Sequence, residues 1–113
     1  MTAQTVGAPA PAPPAVVTLT GELDLSTSAW AQAALDRGLR NAASLVVDMR
    51  QVTFIDCAGL TPLIHALRRV LEQGGGITVL TTGEAVPRLL RLTGLRGWFT
   101  VLDADAESDA RQP

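Results

Sequence analysis

The chain has no lysine, one cysteine, one histidine and no long apolar run. Cys57 alone cannot close an intramolecular disulfide, and with His65 the only histidine there is no soft-ligand cluster at zinc or iron–sulfur spacing. No metal or other cofactor is expected. All nine basic residues are arginine, they form no run, and eleven acids leave a net charge of −2, which argues against nucleic acid as a partner. No apolar stretch approaches membrane-spanning length, and no basic residue precedes the apolar residues of the N-terminus as in a secretory signal. The expected compartment is the cytoplasm, without direct membrane insertion.

What is present fits one small domain: 113 residues, 47% hydrophobic and 18% charged. Residues 1–14 are rich in alanine and proline and offer no periodic face to bury, so they read as a flexible arm. Residues 104–113 include Asp105, Glu107 and Asp109 and read as an acidic, solvated tail. The domain is expected over residues 15–103.

Within it, apolar runs of strand length alternate with helical stripes. Val16 to Thr20, Leu45 to Met49, Val52 to Ile55, Ile77 to Leu80 and Trp98 to Leu102 are strand candidates. A first helix starts near the caps Ser26, Thr27 and Ser28, with Ala31, Ala34, Leu35, Gly38 and Leu39 on one stripe. In the second, Leu60, Leu63, Ile64, Leu67, Val70 and Leu71 share a face, Pro62 sits in the first turn, and Gly74 to Gly76 stop it. In the third, Val86, Leu89, Leu90 and Thr93 share a face, Thr81 with Glu84 fits a capping box with Thr82 as a rival cap, and Gly94 closes it. Such alternation specifies an α/β fold with parallel crossovers and one sheet face better covered than the other.

Ligands and partners of such sheets meet the loops beyond the C-terminal strand ends, which points to Thr53 through Pro62. No enzyme assembles there. His65 has no serine or cysteine within a helical turn, and Gly74 to Gly76 lack the lysine and hydroxyl of a phosphate-binding loop. Cys57 near a helix start reads as a packed small residue, with a redox role as the alternative. Trp30 lies off its helix's apolar stripe and is a contact candidate; Trp98 is expected in the core or at its rim.

Leu19-Thr20-Gly21-Glu22-Leu23-Asp24, then Leu45 to Met49 leading into Val52-Thr53-Phe54-Ile55-Asp56-Cys57-Ala58-Gly59-Leu60, and then the glycine turn and the Val86 to Leu95 helix, resemble in that order the STAS domain family, of the bacterial anti-sigma factor antagonist type. The resemblance implies a single domain with a curved, mixed sheet and helices mainly on one side. It also implies a non-catalytic regulator that binds an anti-sigma factor, a histidine-kinase-like ATPase-fold serine kinase, and so frees a sigma factor. In the family's usual Asp-Ser-Ser-Gly-Leu-Gly motif the second serine is phosphorylated and the phosphorylated form lets go. Here the matching residue is Ala58, which has no hydroxyl.

By resemblance, the partner-binding surface comprises Asp24, Asp56, Cys57, Ala58, Gly59, Leu60, Thr61 and Leu63. Thr53 and Thr61 are the nearest alternative hydroxyls. Prolines 9, 11, 13 and 14 oppose the family's additional first strand. The alternatives are a STAS interaction subunit of a lipid-transport or stress-signalling complex and a Cys57-based redox sensor. A homodimer is compatible with the incompletely covered sheet face.

Overall fold

Along Ala15–Leu23 (β1), Val17, Leu19 and Leu23 are buried while Val16, Thr18 and Thr20 face outward, the period-2 signature of a sheet covered on one side. The computed structural model describes residues 13–103; the expected arm up to residue 12, any strand within it, and the 104–113 tail lie outside the described residues. Seven further elements follow β1: Ser28–Leu39 (α1), Leu45–Ile55 (β2), Cys57–Glu72 (α2), Ile77–Thr81 (β3), Ala85–Leu92 (α3), a short 3-10 turn Arg96–Trp98, and Thr100–Asp103 (β4). The four strands lie in the order β1-β2-β3-β4, every neighbouring pair parallel.

Strands laid in sequence order and linked by helical crossovers of one hand place every helix on the same face. The core is accordingly a single layer between that face and the helices, built on Leu19, Leu35, Val47, Leu63, Val70 and Val79. The α/β class and the one-sided helices agree with the sequence reading. The described sheet is all parallel where a mixed one was expected, because each strand is joined to the next through an α-helix and none by a hairpin.

Two expected strands, Leu45 to Met49 and Val52 to Ile55, are one. The nine residues of β1 pair with the eleven of β2, and the two extra residues enter as bulges opposite Thr18/Thr20 and Gly21/Glu22. Asp48 holds the first bulge: its carboxylate accepts the Arg50 backbone N–H (3.1 Å) and both ends of the Arg50 guanidinium (2.9 and 2.8 Å). Two insertions restore the phase, so Ile55 points into the core like Leu45, Val47 and Met49.

Other expectations change at element ends. Pro62 is the sixth residue of α2, not part of its first turn, and it is buried. Thr81 is buried with its hydroxyl unpartnered, and Glu84 itself is the N-cap of α3, so the capping box does not form. Trp98 belongs to the 3-10 turn and is 58% exposed, whereas Phe99 beside it fills the core. Trp30 is exposed, as its position off the α1 stripe predicts. Gly38 is the penultimate residue of α1, where a Cβ would meet the Val17 side chain at 2.7 Å.

Candidate functional site

The C-terminal ends of β1 and β2 are locked together through one carbonyl. The Leu23 oxygen accepts the Asp56 N–H at 3.2 Å, and the first turn of α2 packs so closely on it that a Cβ on Gly59 would stand 1.9 Å away. Only glycine fits such an approach, whatever its φ. Asp24 follows Leu23 directly and Asp56 follows Ile55, so the same lock sets the two carboxylates on neighbouring strand ends.

Asp56 caps α2. Its backbone is extended and its Oδ1 accepts the Gly59 N–H at 2.9 Å. Asp24 organises the opposing loop: its Oδ1 accepts the Ser26 hydroxyl at 2.6 Å and the Ser26 N–H at 2.9 Å. The Ser26 hydroxyl bond is the main reason the Asp24 carboxyl titrates below its ordinary value, with the Ser26 and Thr27 N–H groups adding to it. Thr27 ties this loop back to β1, donating to the Glu22 carbonyl at 2.8 Å while accepting the Asp24 N–H at 3.0 Å. The hydroxyl is thereby consumed, and of the three possible caps Thr27 takes the N-cap position of α1 without a side-chain cap bond.

Between the two loops runs a groove of about 360 Å³ walled by α1 and α2. Leu25, Ser28, Ala29 and Gln32 form one wall; Ala58, Thr61, Pro62 and His65 form the other. Proline has no N–H, so Pro62 cannot donate to the Ala58 carbonyl four residues back. His65 closes the far end, its Nδ1 3.1 Å from the Gln32 Oε1. Gln32 in turn donates to Asp36 (3.0 Å), which accepts Arg69 (2.7 Å), a polar seam across α1 and α2.

The eight residues expected at the partner surface divide by burial. Asp24, Asp56 and Ala58 are half-buried, and Cys57 and Thr61 are exposed, so these five present atoms at the surface. Gly59, Leu60 and Leu63 are in the core, since they lie on the α2 face turned to the sheet; they shape the site from beneath and offer no side chain to a partner. Leu25, Ala29, Gln32 and His65 join the site although the sequence reading placed none of them there. The available signal was Leu25, an apolar residue in a polar loop that proves 79% exposed.

The thiol of Cys57 and the imidazole of His65 do not form a pair. Cys57 and His65 lie eight residues apart on one helix, about 12 Å along its axis. Thr61 donates to the Cys57 carbonyl at 3.2 Å, and Thr53 is exposed on β2. Among the described residues no group of three or more His, Cys, Asp or Glu side chains is placed to hold a metal, and no helix is long and apolar enough to cross a membrane.

Comparison with known proteins matches residues 7–103 to a family model described as Mlab, STAS domain. An anti-sigma F factor antagonist of Paenibacillus polymyxa is 29% identical over 95 residues, covering 82% of this chain and 81% of its own. An anti-sigma-B factor antagonist of Bacillus subtilis (strain 168) is 26% identical over 93 residues, covering 82% and 83%. Among solved structures, an anti-sigma factor antagonist from Mycobacterium paratuberculosis aligns with a TM-score of 0.69 at 28% identity, over 86% of this chain and 85% of that one.

Proposed function

The chain belongs to the STAS domain family, and from that premise we propose that it is an anti-sigma factor antagonist whose binding surface is not switched by phosphorylation at the family's usual position. The observation that carries this reading is Ala58. It lines the groove on the second residue of α2, where the resemblance places the acceptor serine. A phosphoryl group there would add up to about two negative charges to a surface that already carries Asp24 and Asp56, and it would oppose association by repulsion and desolvation. Without a hydroxyl that step has no acceptor atom, and the binding-competent state is the default.

The partner is an anti-sigma factor of the serine-kinase type, and the contact surface is Asp24, Asp56, Cys57, Ala58 and Thr61 with the α1–α2 groove between them. The protein acts by occupying the anti-sigma factor, which releases a sigma factor; no bond is made or broken on this chain. An interaction subunit of a lipid-transport or stress-signalling complex would use the same surface, and the names of the two curated relatives favour the sigma-factor reading.

Capture of partners by the tagged full chain from lysate of its own organism, with and without ATP, tests this. Recovery of a histidine-kinase-like anti-sigma factor in both conditions, with the chain's mass unchanged, is expected. ATP-dependent phosphorylation of Thr53 or Thr61 that releases the partner, or recovery of transporter subunits instead, would overturn it.

A further inference from the structure

α2 carries a second apolar groove, remote from Ala58. Ile64, Leu67, Arg68 and Leu71 of α2 face Leu95 and Trp98 across a cleft of about 200 Å³. Ala58 and Leu71 are thirteen residues apart, about 20 Å along the helix, so the two grooves are separate surfaces. Trp98 is 58% exposed and Leu71 45%, although the flanking Phe99 and Val70 are fully packed. The sequence places a large aromatic residue at the rim of the cleft and leaves it largely in solvent.

The charged side chain that lines the cleft is basic. Arg68 is the only charged residue lining it, and Arg96 is exposed in the same turn as Trp98. The ion pairs Arg50–Asp48, Arg69–Asp36 and Arg91–Glu84 involve neither Arg68 nor Arg96, and Glu72, four residues beyond Arg68, makes no ion pair with it. The cleft is smaller than the roughly 300–1,000 Å³ of small-molecule sites. Two arginines beside a glutamate also supply too little positive charge to hold an anionic membrane.

We propose that this cleft is a second protein-docking site and that its occupant is an acidic amphipathic segment of another protein. Large apolar side chains of that segment seat against Trp98 and Leu71, and a carboxylate one helical turn away meets Arg68. The proposal stands apart from the Ala58 surface and holds or fails independently of the sigma-factor reading.

Trp98 is its own reporter. In the full chain carrying Trp30→Phe, the only remaining indole is in the cleft. Three probes are titrated: a synthetic helical peptide with leucine and glutamate spaced four residues apart, its leucine and lysine counterpart, and phosphatidylglycerol vesicles. The glutamate peptide is expected to give a saturable blue shift of Trp98 emission, and Arg68→Glu is expected to weaken it at least tenfold with an unchanged circular dichroism spectrum.

No saturable shift, equal affinity for the lysine peptide, or indifference to Arg68→Glu would contradict the proposal. Vesicles shifting the emission where the glutamate peptide does not would replace the protein partner with a lipid surface. A change of Trp98 emission without any probe, on substituting D105N, E107Q and D109N together, would mean that the chain's own tail fills the cleft, and it too would overturn the proposal.

Discussion

Asp56 has two jobs that substitution separates. As the cap of α2 it bonds the Gly59 N–H, and as a carboxylate it charges the proposed partner surface. Asp56→Ala removes both and is expected to cost about 1 kcal/mol in urea unfolding. Asp56→Asn caps as well as aspartate does, so stability is expected to hold within a few tenths of a kcal/mol while affinity for the anti-sigma factor falls. Gly59→Ala is a different matter, since its Cβ would collide with the Leu23 backbone; a loss of about 3 kcal/mol or more is expected on the scale of overpacking. Thr81→Val runs the other way. The Thr81 hydroxyl is buried without a partner, and an isosteric methyl is expected to raise stability by roughly 1 kcal/mol in the same assay. The Asp24 carboxyl, whose folded value lies below its unfolded one, contributes to the loop above the ordinary carboxylate range and loses that contribution as pH falls through the lowered value. A carbon-13 titration of Asp24 is expected to show the depressed midpoint in the wild type and a return toward the ordinary range in Ser26→Ala.

At the scale of elements, apolar packing carries the α1–α2 interface and the polar seam across it orients the groove. The Asp36–Arg69 pair is more than two-fifths exposed at each end, so solvent screens it, and Arg69→Ala is expected to cost less than about 1 kcal/mol. Leu35→Ala, at a fully buried position of α1 next to Asp36, is expected to cost about 2–5 kcal/mol. Denaturation midpoints of the two variants check the contrast. The same difference explains what the sequence disclosed. Apolar stripes located all three helices, because residues such as Leu35, Leu63 and Leu90 report burial directly. Element ends were harder, because there hydrogen bonding competes with periodicity. Thr27 spends its hydroxyl on the Glu22 carbonyl instead of capping α1, and the Asp48–Arg50 bulge joins what periodicity separates into two strands. The Asp56 to Leu60 motif located the site, but not the burial of Gly59 and Leu60 nor the α1 wall, which forms only when two helices distant in sequence pack together.

At the scale of the molecule, acidic groups gather beside the groove. Among the described residues, Glu22, Asp24 and Asp56 lie near the C-terminal ends of β1 and β2, next to the groove. Such a field steers a basic partner surface to the groove and turns away an acidic one. The association rate with the anti-sigma factor is therefore expected to fall as ionic strength rises, with a smaller change in the dissociation rate, in stopped-flow measurements. The central claim is that the Ala58 surface binds constitutively. Calorimetric titration of the purified anti-sigma factor with the wild type and with Ala58→Asp tests it most directly. Position 58 is half-buried and second in α2, where a carboxylate suits the helix dipole, so the variant is expected to keep its fold, with an unchanged circular dichroism spectrum. The account predicts the same affinity for the wild type whether or not kinase and ATP have acted on it, and affinity at least tenfold weaker for Ala58→Asp. Wild-type affinity that collapses after treatment with ATP, or equal binding by Ala58→Asp, would contradict it.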